Sequence, residues 1–189
     1  MTLPHFQIDY LQNFFNDEKA DLYFKALQNE LECSQNEIKI FGRMVKTPRL
    51  EAWYADSGLT YTYSGQEMQP KVWTKTLKAI KQEIEPHCKI KFNSVLVNWY
   101  RDGDDGVGYH SDDEPELGKN PYIASLSFGV DRKLKFQHKK DKLNHDLTLH
   151  HGSLLIMKGE TQHYWKHALP KSKRIKDLRI NLTFRQIKL

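Results

Sequence analysis

The sequence has few of the features that mark secreted, disulfide-rich or membrane-spanning chains. Its 189 residues include two cysteines, Cys33 and Cys88, which are too few for a disulfide framework and form no Cys-x-x-Cys motif. Apolar runs are short, and even Leu154 to Met157 falls far below the ~20 residues that cross a bilayer. The first residues do not combine a basic segment with an apolar one, so we expect no secretory signal. These absences favour a cytoplasmic protein, or a nuclear one in a eukaryote.

The remaining composition is that of one globular domain. Apolar residues make up 39% of the chain and charged residues 28%, a balance typical of folded proteins. The length suits a single domain over residues 1–189. Lys and Arg outnumber Asp and Glu by 29 to 24, which gives a net charge of +5. An excess of this sign favours a polyanionic partner, but it is also typical of a solvated basic surface.

Apolar periodicity predicts two helices followed by many strands. A first helix is expected over residues 17–33, and a second that begins at Pro70 and ends at Pro86. From Lys91 onward, short β-like segments alternate with Gly, Asp and Asn turns, at residues 92–100, 108–112, 122–128, 134–138, 147–150, 153–157, 163–167 and 178–187. This pattern predicts a mainly β protein, an antiparallel sandwich or open barrel with helices packed outside.

One short segment has the spacing of metal ligands. His110 and Asp112 are alternate residues of a predicted strand, so their side chains share a face. With His167, they would supply the two imidazoles and one carboxylate of the facial triad in non-haem Fe(II) oxygenases. His163 competes with His167 for the third position. Further candidate ligands are Asp113, His150 and His151.

The last predicted strand has a polar face with two arginines. Polar residues occupy its odd positions, Arg179, Asn181, Thr183 and Arg185. If this face lines a barrel interior, its arginines need anions to offset their desolvation, and the planar guanidinium suits carboxylates. About 20 Å of strand separates the two arginines at ~3.3 Å per residue, which leaves room for a five-carbon dicarboxylate. Asn98 and Tyr100 are additional donors on another strand; an exposed polar face would instead indicate an ordinary amphipathic strand.

Together these motifs resemble the AlkB family of Fe(II)- and 2-oxoglutarate-dependent dioxygenases. The likeness covers about residues 40–188, and residues 58–65, 110–114 and 123–129 look closest to the demethylases of 1-methyladenine and 3-methylcytosine in nucleic acid. The resemblance implies a double-stranded β-helix (jelly-roll) core over residues 91–189, N-terminal supporting helices, and a nucleotide-recognition lid over residues 37–65.

The same resemblance assigns roles to the residues of the motifs. It implies that His110, Asp112 and His167 hold iron, with 2-oxoglutarate and dioxygen as cosubstrates. The distal carboxylate of 2-oxoglutarate is then held by Arg179, Asn98 and Tyr100. The carboxylate near the metal is held by Arg185 and Asn181, and Thr183 completes this cosubstrate face.

Three residues are candidates for contact with the substrate base. Tyr61 and Tyr63 lie two positions apart and are able to stack on a flipped base from one face, although such pairs also occur in ordinary strand packing. Glu114 resembles the acid that reads the exocyclic amine of the base in the family. A carboxylate there favours a methylated, positively charged base over an unmodified one.

A predicted hairpin tip is a candidate for contact with duplex nucleic acid. Phe41 lies at this tip among cations that include Arg43 and Arg49. An apolar residue among cations is typical of a wedge that fills the place of a flipped nucleotide, and the segment resembles the finger of duplex-preferring family members. Further phosphate contacts are expected from Lys171, Lys173, Arg174 and Lys176. An ordinary surface turn is the alternative interpretation.

These inferences predict an oxidative demethylase that repairs N-alkylated bases in DNA rather than RNA, with release of formaldehyde, succinate and CO2. Alternative substrates for such an oxygenase are RNA, protein or a small molecule. A non-enzymatic alternative is a DNA-binding jelly-roll with a vestigial metal site. We expect a monomer with no membrane partner.

Overall fold

A computed structural model of the chain describes residues 3–40, 43–63 and 66–188. The helices in these residues are α1 (Asp17–Glu30), α2 (Lys75–Cys88) and α3 (Thr161–Tyr164), with a 3-10 turn at Pro115–Leu117. The strands are β1 (Ile8–Leu11), β2 (Glu37–Ile40), β3 (Arg43–Lys46), β4 (Leu50–Ala55), β5 (Tyr61–Tyr63), β6 (Gln66–Met68), β7 (Ser94–Tyr100), β8 (Val107–His110), β9 (Ile123–Gly129), β10 (Arg132–His138), β11 (Asn144–Leu149), β12 (Leu154–Met157), β13 (Trp165–Leu169) and β14 (Arg179–Arg185). None of these helices has the length and apolar character that a bilayer span requires.

Two antiparallel sheets form the body of the fold. The larger has the strand order β1-β12-β9-β14-β7-β4, and the smaller has the order β11-β10-β13-β8. Their inner faces share one apolar cluster, in which Leu96 and Leu155 of the larger sheet meet Phe136 and Trp165 of the smaller. This arrangement confirms the expected jelly-roll class. The larger sheet also takes β1 and β4 from outside residues 91–189, and β1 was not predicted from the sequence.

The two long helices cover the outer face of the larger sheet. Leu27 of α1 and Ile80 of α2 join a second apolar cluster with Val97 and Leu182 of the sheet. Burying one apolar stripe of each helix against the sheet stabilises both layers. The expected supporting helices are therefore confirmed, and they fix the central strands from behind.

The helix boundaries differ from those predicted at three places. Helix α2 begins at Lys75 instead of Pro70, because the Thr74 side chain accepts a hydrogen bond from the Leu77 amide and caps the helix. Pro86 lies inside the last turn, and the helix ends two residues later, before Lys89 in the left-handed region. A proline removes one donor from a helix without forcing it to stop there. Helix α1 ends at Glu30 instead of residue 33, since the next residue is extended.

Strand β14 lies at the centre of the larger sheet, between β7 and β9. Its even residues Ile180, Leu182 and Phe184 pack toward the helices. Its odd residues therefore face the space between the two sheets, as side chains alternate along a strand. The polar face of the last strand is thus internal, and the interpretation as an exposed amphipathic strand is excluded.

Candidate active site

A cavity between the two sheets brings most of the predicted site residues together. The smaller sheet and the segment after β8 contribute His110, Asp112 and His167. The larger sheet contributes polar side chains of β7 and β14, namely Asn98, Tyr100, Arg179, Asn181, Thr183 and Arg185. Residues far apart in sequence therefore line one enclosed space.

The three expected metal ligands converge at one end of this cavity. Strands β8 and β13 are neighbours in the smaller sheet, and His110 is in register with His167. Their ring centroids are 4.4 Å apart, and His110 Nε2 lies 3.7 Å from Asp112 Oδ1. One ligand atom from each residue lies within 4.8 Å of the others. Asp112 reaches this position from two residues beyond the end of β8, so regular strand alternation does not place it there.

The protonation states of the cluster suit metal binding. His110 Nδ1 lies 2.9 Å from the Gly108 carbonyl oxygen, which only accepts, so Nδ1 is the nitrogen that donates to it and Nε2 is the nitrogen left to face a metal ion. Burial and the neighbouring His110 lower the pKa of His167 to about 3. Burial alone would raise the pKa of Asp112, but the positive charge of the adjacent Arg185 guanidinium is the largest opposing cause, and the pKa is held at about 2. Near pH 7 Asp112 is therefore a carboxylate and His167 a neutral imidazole, the forms that bind a metal ion.

The Asp112 carboxylate itself indicates an open coordination position. Its Oδ2 pairs with the Arg185 guanidinium at 2.9 Å. Its Oδ1 is buried and has no hydrogen-bond partner among the described residues. A buried anionic oxygen without a donor is costly unless a cation approaches it. The donor set therefore fits an iron ion held by His110, Asp112 and His167.

The other candidate ligands lie elsewhere. His163 is exposed on α3, and its Nε2 lies 2.9 Å from Asn120 Oδ1. Asp113 Oδ2 pairs with Lys139 at 3.1 Å. Two further histidines pair with surface acids, His150 with Asp131 and His151 with Asp21. In the described ranges, only the cluster of His110, Asp112 and His167 forms a group of three potential ligands.

Arg179 is a buried cation that faces the cavity without a matching anion. Its residue surface is 2% exposed, and one guanidinium nitrogen donates to Ser127 Oγ at 3.0 Å. The guanidinium also lies 5.2 Å from the centre of the Tyr100 ring. Burial lowers the pKa of Arg179 to about 10. No carboxylate of the described residues forms an ion pair with it, so the site favours an anionic ligand.

Asn98 and Arg49 form a buried pair that the sequence did not reveal. Arg49 Nε donates to Asn98 Oδ1 at 2.8 Å, and its NH2 group lies 2.6 Å from Glu51 Oε1. This contact orients the Asn98 amide and leaves Nδ2 as its donor. Arg49 is only 5% exposed, so its predicted role as a nucleic-acid contact is wrong. Its position in a run of cations suggested a surface residue, whereas its contacts with Asn98 and Glu51 lie in the interior.

Asn181 and Thr183 strengthen the wall of the cavity instead of offering free donors. Asn181 Nδ2 donates to Ser125 Oγ at 2.8 Å and to the Leu126 carbonyl at 3.0 Å, which uses both amide hydrogens. Thr183 Oγ1 donates to Asn181 Oδ1 at 3.1 Å. The Asn181 amide is thus already engaged by protein acceptors, and its contact with a carboxylate stays a prediction. Arg185, by contrast, reaches the metal end of the cavity through its contact with Asp112.

Two buried residues near the site were missed by the sequence analysis. Arg132 donates to the carbonyls of Asp102, Asp105 and Pro170, and its guanidinium lies 5.8 Å from the centre of the Tyr100 ring. Arg132 lies two residues before Leu134 and four before Phe136, so it shares the inward face of β10 with these apolar residues. This spacing is a signal in the sequence that Arg132 faces inward. Gln162 accepts a hydrogen bond from the Asp112 amide at 2.9 Å, and no pattern in the sequence predicts this contact.

The predicted substrate contacts lie around the edge of this site. Glu114 is partly buried, two residues after Asp112 and immediately before the 3-10 turn. Arg43 is exposed on β3. Tyr61 and Tyr63 lie on β5, whose side chains are outside the described part of the structure, and Phe41 lies outside the described residues. Their roles stay predictions.

Comparison with known proteins places the chain in a family. Residues 7–185 match the 2OG-Fe(II) oxygenase superfamily. The human DNA oxidative demethylase ALKBH2 is 40% identical over 186 residues, covering 93% of this chain and 71% of that protein. The rat alpha-ketoglutarate-dependent dioxygenase alkB homolog 3 is 46% identical over 150 residues, covering 74% of this chain and 50% of that protein. The chain belongs to the AlkB family.

AlkB membership agrees with the architecture and the donor set. The solved structure of OsALKBH1 has a TM-score of 0.62 at 17% identity and covers 98% of this chain and 100% of that one, which shows a shared fold. The chain spans 66% of bovine ALKBH2, which is also 40% identical to it. The superfamily uses Fe(II), 2-oxoglutarate and dioxygen, and the cavity is lined by the three candidate metal ligands and by the buried Arg179.

Proposed function

We propose that the chain is an oxidative demethylase of N-alkylated nucleic-acid bases, with 1-methyladenine and 3-methylcytosine in DNA as substrates. The relatives named DNA oxidative demethylase ALKBH2 support this substrate class. With a DNA substrate, we expect the protein where the DNA lies, the cytoplasm of a prokaryote or the nucleus of a eukaryote. We expect it to act as a monomer.

The observation that carries the proposal is the pairing of a metal cluster with a buried, anion-seeking arginine in one cavity. His110, Asp112 and His167 lie at one end, and Arg179 lines the same space from β14. A facial triad leaves three coordination positions for other ligands. A dicarboxylate with one end near the cluster and the other on Arg179 would satisfy both, which is the geometry that 2-oxoglutarate requires.

The chain's own residues set the direction from which substrate approaches. The His110 side chain is 27% exposed and the Asp112 side chain 1%, and His167 is a buried residue. The cluster is therefore closed on the Asp112 side and open on the His110 side, so the target base enters past His110. Arg185 pairs with the Asp112 carboxylate at 2.9 Å, and Leu134 and Met157 add apolar surface to the cavity lining.

The chemistry fits this arrangement. Bound Fe(II) would use dioxygen and 2-oxoglutarate to hydroxylate the N-methyl group, with 2-oxoglutarate converted to succinate and CO2. The resulting N-hydroxymethyl group loses formaldehyde and restores the base. A base inside a duplex must first be flipped out, and Tyr61 and Tyr63 are proposed to stack on it while Glu114 favours its positive charge. Residues 37–65 would then act as the recognition lid, with Phe41 and Arg43 at its hairpin.

A direct assay tests the proposal. The Fe(II)-loaded protein is incubated with 2-oxoglutarate and oligonucleotides that contain one methylated base, as single-stranded DNA, duplex DNA and RNA. We expect loss of one CH2 from the DNA by mass spectrometry, with an equal amount of formaldehyde and none from the Asp112→Ala variant. A faster reaction on RNA than on either form of DNA would show that RNA is the preferred substrate. Succinate formation without loss of methyl groups from any oligonucleotide would contradict the proposal.

A further inference from the structure

Asp112 is held in place by a short segment on the opposite side of the cluster. It lies beyond the end of β8, and none of the described strands pairs with its backbone. Its amide instead donates to Gln162 Oε1 at 2.9 Å, and both residues are buried. A side-chain amide thus replaces the ladder contact that the strand no longer provides.

The residues on either side of Asp112 are tied to the same segment. Ser111 Oγ donates to the Trp165 carbonyl at 3.1 Å. Lys139 Nζ lies 3.1 Å from Asp113 Oδ2 and donates to the Gln162 carbonyl at 2.8 Å. Three successive residues, 111–113, are therefore fastened to residues 162–165. Of these ties, only the one from Gln162 fixes the backbone of the ligand itself.

The segment that holds Asp112 also leads directly into another ligand. Helix α3 contains Gln162 and is followed without a break by β13, which carries His167. Gln162 Nε2 lies 3.5 Å from Met157 Sδ on β12, so both ends of its amide are engaged. Because the Asp112 amide only donates, Oε1 is the end that must face it. The continuous segment of α3 and β13 therefore holds Asp112 through Gln162 and also carries His167.

We propose that Gln162 is a positioning residue of the iron site, which sets Asp112 relative to His167 before the metal binds. Arg185 fixes the carboxylate at Oδ2, and Gln162 fixes the backbone from which that carboxylate extends. Together they leave Oδ1 aimed at the cluster without a partner among the described residues. The proposal concerns the metal site alone and is independent of the substrate class.

The test is a metal titration that needs no turnover. Metal-free protein is titrated with Co(II), and binding is followed by the visible absorption of the bound ion. Loss of a contact that orients a metal ligand costs about 10–100-fold in affinity, so we expect Gln162→Leu to raise the Kd for Co(II) at least about tenfold. Its absorption bands should also change shape, because Asp112 is less firmly placed.

Thr161→Val is the matched control. Thr161 is equally buried in the same helix, but its hydroxyl exchanges hydrogen bonds with the Gln7 backbone at 2.9 and 3.1 Å and does not touch residues 111–113. We expect this variant to lower the melting temperature while its Kd stays within about twofold of the wild type. Equal increases in Kd for the two variants, or an unchanged Kd for Gln162→Leu, would overturn the proposal.

A second variant covers the case in which Gln162→Leu does not fold. Lys139→Met removes the tie at Asp113 from the protein surface. We expect it to raise the Kd in the same direction but less, roughly threefold, since the Gln162 contact stays. If Gln162→Leu is unfolded, an unchanged Kd for Lys139→Met would overturn the proposal. Co(II) binding involves no nucleic acid, so failure here is distinct from failure of the proposed demethylation.

Discussion

Strands β14 and β3 both carry arginines beside apolar residues, but their surroundings are opposite. All seven residues of β14 are buried, whereas all four residues of β3 are exposed, including Met44 at 57%. Strand β14 pairs with β7 and β9, lies under the helices and faces the cavity. Strand β3 pairs with β2 alone among the described strands. The neighbouring strands, and not the local sequence, decide what each arginine does.

The difference in burial between the arginines of β14 and β3 suggests different roles, in cosubstrate binding for the first and in substrate recognition for the second. The guanidinium of Arg179 is already desolvated, so a carboxylate that reaches it gains a strong, directional interaction. Arg43 is solvated, so its attraction to a phosphate is weaker and is screened by salt. We therefore expect changes in the cavity to affect turnover and cosubstrate binding, and changes in the hairpin to affect substrate preference.

The largest effect is expected at the metal cluster. Asp112→Ala removes the only anionic member of the triad and its 2.9 Å contact with Arg185. Turnover should fall at least about 1,000-fold, or ~4 kcal/mol of transition-state stabilisation, and metal affinity should fall with it. Asp113→Ala is the control, because Asp113 pairs with Lys139 at the surface. Normal metal binding by Asp112→Ala, with loss in Asp113→Ala, would show that the ligand is assigned wrongly.

The next comparison is between the buried Arg49 and the exposed Arg43. Arg49→Ala leaves Glu51 buried without its cation, which should lower the free energy of unfolding by about 3–5 kcal/mol in urea denaturation. The same variant should weaken 2-oxoglutarate binding, because Asn98 loses the contact that orients it. Arg43→Ala should change the free energy of unfolding by less than about 0.5 kcal/mol. Equal effects on stability would contradict the difference in burial.

Arg179→Lys tests the cosubstrate end of the cavity. Lysine keeps the charge but loses the planar fork that pairs with a carboxylate. Hydrogen bonds to charged groups contribute about 1.5–3 kcal/mol, so the KM for 2-oxoglutarate should rise roughly 10- to 100-fold. The KM for the oligonucleotide should change little. If steady-state kinetics show similar changes in both values, Arg179 faces the nucleic acid instead.

The smallest effect is expected at the hairpin, where it should depend on the substrate. Phe41→Ala should lower kcat/KM on a methylated duplex by a factor that corresponds to about 1–3 kcal/mol of transition-state stabilisation, the contribution of one base–aromatic stack. We expect this loss because the flipped base leaves a gap in the duplex that Phe41 would fill. The same lesion in a single strand should react almost normally. The control is Met44→Ala, which removes another apolar side chain, exposed on β3. Equal loss on both substrates would indicate a folding role for Phe41, and no loss would indicate an ordinary turn.

The sequence predicted the fold class and the inner face of β14 because alternation is a local property. Polar and apolar residues alternate from Arg179 to Arg185, and the structure directs them to opposite sides. His110 and Asp112 were likewise expected together, but the reason differs. Asp112 lies outside the strand and is placed by Gln162, a residue fifty positions later in the chain. A contact between residues fifty positions apart produces no periodic pattern in a single sequence, so it is not predictable from the sequence alone.

Charge runs were the least informative part of the sequence. Arg49 and Arg132 lie in basic stretches that predict solvated surfaces, yet both are buried and bonded to protein acceptors. Charge alone does not report burial, which depends on the strands that pair on either side. Asn181 shows the same limit, since its amide is occupied by groups on β9 whose register the sequence does not show.

A crystal structure grown without oxygen, with Mn(II) in place of iron and with 2-oxoglutarate, tests the central claim most directly. We expect a metal ion bound to His110 Nε2, Asp112 Oδ1 and His167, with one carboxylate of 2-oxoglutarate near the metal and the other on Arg179. A metal bound through His163 or Asp113, or a 2-oxoglutarate molecule that does not reach Arg179, would contradict it.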